Sequence, residues 1–390
     1  MLDEFPTNDT AEAYDSVVRG LAFPKDRTPQ EKGDFRLPPD TTVVSVDNHW
    51  SIHEDIFYQR FPERLKDKAP RLWLPEDGNN LWLVDGKSGM TQGVIRSKAV
   101  YEPVRGCWDI EARIADMDAE GMDKEIVFPN GVPEFYGYPD TDVREWIFRV
   151  YNEYVAETQQ KAPGRFYAVG QVLFWDMDRV RESIQEIKAM GIKAVALPQN
   201  PKGAGGKPLD YCLPEMEPLW AALEEAGLPV CFHVGEWFKD GPGGHGTTIM
   251  VAFGPFRKNF GELVFGGIFD RHPKLQVVFM EADINWVPGA LQTATMGYEC
   301  YYEMLDPKIE HHPRHYWHNN MYAAFTHDPV GLRMLDVVGA DRVMWSSDYP
   351  HVESTYGYGW DALRNVVDNV SEADARAILG GTAMKVFKLD

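Results

Sequence analysis

The chain has 390 residues, a formal charge of −21 (60 acidic against 39 basic side chains), and 44% apolar and 13% aromatic residues. That length suits two ordinary domains, or one (β/α)8 barrel of ~250 residues with extensions and long loops. A surface this acidic repels phosphate backbones and anionic lipid, which excludes nucleic acid and membrane as partners and leaves a small-molecule substrate.

Residues 1–40 are polar, with Pro24, Pro29, Pro38 and Pro39 scattered through them, and read as an N-terminal arm with one short helix around Thr10–Leu21. Their start, MLDEFPTNDTAEAYDS, has neither the basic n-region nor the apolar core of a signal peptide. No apolar run approaches the ~20 residues that span a bilayer. The four cysteines (Cys107, Cys212, Cys231, Cys300) form no CxxC pair, so a reducing compartment is expected and the predicted location is the cytoplasm.

From residue 41 to 385, short β-branched runs alternate with longer amphipathic stretches. The predicted strands are 42–49, 124–129, 165–174, 192–198, 228–235, 275–282, 321–326 and 341–348. Most are continuous apolar runs rather than alternations, as in a parallel sheet covered on both faces. Stretches 176–191 and 214–227 repeat apolar residues at helical spacing and end on glycine, a helix stop. Eight such units predict an α/β fold, a (β/α)8 TIM barrel. A doubly wound open sheet fits the alternation too, but no GxGxxG follows the first strand. The large insert after strand one, 50–110, is rich in Trp, Pro and Gly and is expected to cap the mouth of the barrel.

Active sites of such barrels lie at the C-terminal ends of the strands. Asp47 and His49 close the first predicted strand, His233 the fifth, Glu281 the sixth and Asp348 the eighth. Two residues apart on a strand, Asp47 and His49 project to one face and can grip a borderline cation such as zinc, or harder manganese. Taken singly, a strand-end histidine is a satisfied core residue more often than a ligand, and Asp348 could cap the next segment. Three strand ends carrying such groups together argue for a metal, because a cation relieves the cost of burying carboxylates.

Other residues stay open. His245, in DGPGGHGTT after the fifth strand, either reaches the substrate or is an exposed loop histidine. Trp237 and Trp286 follow metal-face strands and either wall an aromatic substrate pocket or belong to the core. The HHPRHYWH tract (His311, His312, His315, His318) precedes the seventh strand, which favours a surface or inter-subunit role. No lysine ends the fourth strand and Lys193 lies at its other end, so one metal ion is expected rather than two.

Several blocks, in order, resemble the amidohydrolase-related family of metal-dependent hydrolases, which includes aminocarboxymuconate semialdehyde and γ-resorcylate decarboxylases. They are SVDNHW with RFPERLKDKAPRLW, RIADMDAEGMDKEIVFPN, PLWAALEEAGLPVCFHVGE, GGIFDRHPKLQVVFMEADINWVP and DRVMWSSDYPHVEST. The resemblance implies metal ligation by Asp47, His49, His233 and Asp348, with Asp348 also handling a proton. It implies that His351 orients Asp348 or the substrate. It implies oligomers, so a homo-oligomer is expected. In the resembling decarboxylases the position of Glu281 holds a catalytic histidine. A glutamate does not reproduce imidazole chemistry near neutral pH unless its pKa is strongly raised.

The leading expectation is therefore a hydrolase acting on a small aromatic or cyclic carbonyl substrate through metal-activated water. Asp348 would take the proton, with Glu281 as general acid or base or as an anchor. The alternative is a non-oxidative decarboxylase of a phenolic or unsaturated acid. A third reading is a barrel that binds without chemistry.

Overall fold

The structure is a computed structural model, and it describes residues 31–73, 81–84, 87–91, 104–351 and 353–390. Its main sheet has eight parallel strands: β1 (Val44–Trp50), β5 (Lys124–Pro129), β6 (Phe166–Gln171), β7 (Ala194–Leu197), β8 (Val230–His233), β9 (Val277–Met280), β10 (Met321–Phe325) and β11 (Val343–Trp345). Each strand pairs with the next in this order. All lie inside the expected runs, apart from Trp50, one residue beyond. The strands are shorter than the runs because the apolar residues continue into the flanking loops.

The two ends of the sheet meet just above β11. An isolated parallel bridge joins Asn48 to Tyr349. His49 N donates to Tyr349 O (2.7 Å) and Asp348 N to Asp47 O (2.8 Å). Tyr349 N and Ser347 N donate to the Asn48 and Ser45 side chains. The sheet is thus an eight-stranded (β/α)8 barrel, and its closing hydrogen bonds run through the backbone of the candidate site.

Inward-facing residues are small or branched: Val44, Val46, Val169, Ala194, Ala196 and Cys231, joined by Ile126, Phe128, Val278, Met280 and Ala324. Ala383, Val386, Phe387 and Leu389, from the C-terminal segment, pack into the same cluster and close the bottom. The outer core lies between strands and helices, where Trp220, Trp317 and Trp345 are fully buried.

Predicted helix 176–191 is observed as Val180–Ala189, and 214–227 as a turn Pro214–Met216 leading into Glu217–Ala226. Gly227 ends the latter at φ +63°, donating to Leu223 O, a backbone geometry that favours glycine. Gly121, at φ +80°, ends helix Ile110–Glu120, and a Cβ there would lie 2.5 Å from the Trp360 ring.

The described part of the 50–110 insert holds a short helix, Ile56–Arg60, and a three-stranded antiparallel sheet of β2 (Arg71–Trp73), β3 (Leu81–Val84) and β4 (Lys87–Thr91). The rest of the insert and the predicted helix at Thr10–Leu21 lie outside the described residues. Of the arm, residues 31–40 pack on the barrel's own body: Lys32 Nζ lies over Trp360 and the Arg364 guanidinium over Phe35. Among the described residues no helix is long and apolar enough to cross a membrane.

Candidate metal centre

The first strand does not alternate regularly. Ser45 pairs with Glu125 and Asn48 with Val127, so β1 advances three residues while β5 advances two. This extra residue is a β-bulge, a device that re-aims side chains. Below it Val44 and Val46 face the barrel interior. Above it Asn48 turns outward to donate to Glu125 Oε2 (2.7 Å), and Asp47 and His49 are delivered to the mouth.

A buried ion pair holds the bulge. Arg113, on helix Ile110–Glu120, binds Glu125 of β5 through Nε and Nη2 (3.0 and 2.7 Å), and both side chains are fully buried. Its Nη1 donates to the carbonyl of His49 (2.8 Å), and its guanidinium lies 4.4 Å from the Tyr349 ring centroid. Arg113 therefore ties together both ends of the sheet beneath the site.

At the mouth, ligand-type atoms crowd. His49 Nε2 is 3.1 Å from Asp348 Oδ1 and 3.5 Å from Asp47 Oδ1. His233 Nε2 is 3.2 Å from Asp47 Oδ1 and 3.8 Å from Glu281 Oε2. Asp47, His49, His233 and Glu281 each offer one ligand atom, all within 4.8 Å of one another, and so do His49, Glu281, Asp348 and His351. His49 and His351 stack at 3.9 Å.

Two turns aim the carboxylates. Glu281 follows β9 at φ +47° and Asp348 lies three residues past β11 at φ +59°. Non-glycine residues rarely occupy this left-handed region, and strain of this kind collects at functional sites.

The imidazoles are oriented from behind. His233 Nδ1 meets Val234 O at 2.9 Å, which leaves Nε2 toward Asp47. His351 Nε2 meets Asn130 Oδ1 at 3.1 Å, which leaves Nδ1 toward Asp348 Oδ1 at 3.0 Å. Asn130, whose Nδ2 donates to Ser51 Oγ, follows directly on β5. Sequence reading missed it, although its place at a strand end was a signal.

The electrostatics favour a cation. Burial and the neighbouring His351 and His233 hold His49 below the usual imidazole range. Burial pushes Asp348 up to about 7, although His351 pulls the other way. Burial, then Asp348 and Glu353, push Glu281 well above the carboxylate range. Burial alone would lower His351, but Asp348 raises it to about 9. Asp47 Oδ2, both nitrogens of His49 and both carboxylate oxygens of Asp348 are buried without a well-aligned hydrogen bond among the described residues. Lone pairs this close, yet not aligned on one another, fit a shared divalent ion, which would offset their desolvation.

The remaining candidates lie elsewhere. His245 is exposed on helix Gly244–Val251, outside the cluster. Trp237 is 42% exposed. Trp286 is buried, packs on Phe279 and Phe256, and donates to Asp283 O. His312 caps helix Pro313–Asn320, and His311 lies 4.1 Å from His315, ahead of β10 and so at the opposite end of the barrel. Lys193 reaches Lys388 O just ahead of β7, also away from the mouth.

Fold and site together define a (β/α)8 barrel with a mixed histidine and carboxylate cluster at the C-terminal ends of its first, fifth, sixth and eighth strands. A family profile described as amidohydrolase matches residues 71–389, and the chain belongs to that family. It is 24% identical over 310 residues to 2-amino-3-carboxymuconate-6-semialdehyde decarboxylase of Dictyostelium discoideum, covering 76% of this chain and 81% of that one. It is 24% identical over 295 residues to γ-resorcylate decarboxylase of Rhizobium sp. (strain MTP-10005), covering 72% and 87%.

Among solved structures, an amidohydrolase from Mycobacterium avium subsp. paratuberculosis K-10 superposes with a TM-score of 0.73 at 20% identity, covering 89% of this chain and 99% of that one. A dihydroxybenzoic acid decarboxylase from Polaromonas sp. JS666, solved with bound manganese and the inhibitor 2-nitroresorcinol, superposes at 0.61 with 17% identity, covering 90% and 97%.

The expectation of hydrolysis is overturned, because these curated relatives, matched over about three quarters of the chain, are decarboxylases. That expectation rested on Glu281 being an ordinary carboxylate. Burial and the neighbouring Asp348, Glu353 and Asp47 instead raise its proton affinity well above that of an ordinary carboxylate in the metal-free protein.

Proposed function

We propose that this protein is a divalent-metal-dependent, non-oxidative decarboxylase of a phenolic or unsaturated carboxylic acid. The observation that carries the reading is the crowding of Asp47, His49, His233 and Glu281 at one point of the mouth, with Asp348 beside His49 and His351 behind Asp348. The family's decarboxylases support the reaction type. The manganese in the Polaromonas structure supports manganese as the cation, with zinc as the other candidate for this ligand set.

Asp47, His49, His233 and Asp348 would hold the ion, which when bound supplies a Lewis acid for the substrate carboxylate and an adjacent oxygen. Asp348 delivers a proton to the carbon that carries the carboxylate. The bond to the carboxylate then breaks, its electron pair returns to the ring or alkene, and CO2 leaves. His351 Nδ1, 3.0 Å from Asp348 Oδ1, returns a proton to the aspartate. Asn130 holds the imidazole in the orientation this needs. Glu281, which belongs to both ligand sets and has Oε2 3.8 Å from His233 Nε2, stands where it can help hold the ion or meet a substrate oxygen.

The test loads purified protein with manganese or zinc and measures CO2 release from 2,6-dihydroxybenzoate, 5-carboxyvanillate and related 2-hydroxybenzoates. Release that depends on the metal and falls at least ~10³-fold in Asp348→Asn is expected. Release retained in Asp348→Asn, or absent across the panel in a protein that binds the metal, refutes the reading.

A further inference from the structure

At the end of β6, one strand removed from β1 and Asp47, lies a second polar group that decarboxylation does not employ. Gln171 ends β6 in phase with the inward-facing Tyr167 and Val169, so its side chain enters the barrel interior. It is 1% exposed. Its backbone is fixed from outside: Gln171 N donates to Asn152 Oδ1 (2.8 Å) and Asn152 Nδ2 donates to Gln171 O (2.9 Å). Yet neither Nε2 nor Oε1 of its amide has a well-aligned hydrogen bond among the described residues.

One group approaches that amide. The hydroxyl of Tyr136, from the turn Val132–Gly137 after β5, interacts with Gln171 and lies within electrostatic reach of Cys231 and Glu236. Cys231 is the inward-facing residue two before His233 and in turn feels Asp47. Tyr136, whose ring packs on Phe148 and Phe174, thus meets Gln171 beside the inward-facing Cys231. One hydroxyl can serve only one of the amide's two N–H donors and carbonyl lone pairs. A buried primary amide with capacity to spare is costly unless water or a ligand completes it.

We propose that Gln171 and Tyr136 form a substrate-recognition subsite for a hydroxyl group on the substrate ring, remote from the carboxylate that is lost. This rests on the decarboxylase reading for the carboxylate and on the barrel geometry for the subsite. An amide and a phenol both donate and accept, and so does a hydroxyl. A methyl group in the same place would leave the amide unpaired. A second carboxylate would face the Glu236 carboxylate, which is already held by Gln199 N and Asn200 N. The subsite therefore selects phenols with an additional hydroxyl over their methylated or carboxylated counterparts.

The test uses manganese-loaded protein and two matched series of 2-hydroxybenzoates, carrying either a hydroxyl or a methyl at each remaining ring position. Both kcat/KM for CO2 release and dissociation constants by calorimetry are measured. The wild type is expected to favour hydroxyl over methyl about tenfold or more at one position. Gln171→Leu and Tyr136→Phe should each bring that ratio close to one, through KM and Kd rather than kcat. Melting temperature and manganese content establish folding, and Tyr136→Phe removes a single oxygen, so it carries the test if Gln171→Leu does not fold.

A merely structural role would weaken both series equally and leave the ratio intact. That result, or a wild type without preference at any position, overturns the subsite. A ratio that collapses in the variants with no CO2 released supports the subsite and sinks the reaction. CO2 release with an unaltered ratio does the reverse.

Discussion

Replacing Arg113 with methionine should damage both stability and metal binding, through one side chain that touches neither substrate nor ion. Arg113 and Glu125 are each fully exposed to protein and not at all to water, and Arg113 also donates to His49 O and Gly106 O. Truncating one partner leaves Glu125 as an uncompensated buried charge that keeps only the Asn48 amide. Breaking such a pair costs about 3–5 kcal/mol. At about 2.1 cal/mol/K per residue, a chain of 390 residues loses roughly 4–6 °C of melting temperature.

Because Arg113 anchors the His49 carbonyl above the bulge, manganese affinity should also fall, by about 10–100-fold as for other supports of metal ligands. The double variant Arg113→Met/Glu125→Gln removes the stranded charge and should recover much of the stability, while His49 stays unanchored and the metal affinity stays low. Melting curves and calorimetric manganese titrations measure the two effects separately. A single variant that melts within about 1 °C of wild type, or a double variant that melts lower still, refutes the reasoning.

Asn130→Ala should free the His351 ring and slow CO2 release about 10–100-fold while manganese binding persists. Its mark is a displaced alkaline limb of the pH profile, and an unchanged profile would show that Asn130 only fills space. For the metal-free protein, the raised pKa values of Asp348 (about 7) and His351 (about 9) set the sign of the pH dependence. Each group binds its proton more tightly folded than unfolded, so its contribution is full below the unfolded pKa and is lost as pH rises through the folded one. The metal-free form should therefore melt lower at pH 8 than at pH 6, and manganese should largely abolish the difference. A metal-free form that gains stability over that interval would contradict this account of the cluster.

The barrel was legible in the chain because buried parallel strands must be apolar on both faces, and runs such as KEIVFP and LQVVFMEA carry that signature unaided. The polar cluster at the strand ends was legible because a polar residue ending such a run has few cheap places to go. What the sequence could not show was phase. Counted regularly, Asp47 and His49 would share a face with Ser45 rather than with Val44 and Val46, and only the bulge against β5 brings them into the interior.

Likewise, nothing local to VVFMEADINWVP announces that Glu281 turns back at φ +47° toward His233, or that Glu353 approaches it from the eighth-strand loop. The raised proton affinity of Glu281 is a property of that meeting, and the mistaken expectation of hydrolysis came from reading the residue without it. Arg113, Asn130, Tyr136 and Gln171 are of the same kind: common residue types whose roles depend on partners 12 to 221 positions away. The one-dimensional pattern determined which residues had to be buried and which strand ends carried polar, metal-capable groups. The tertiary structure decided the proton affinities and which polar groups meet at the mouth, because both depend on distances between segments that the order of residues does not contain.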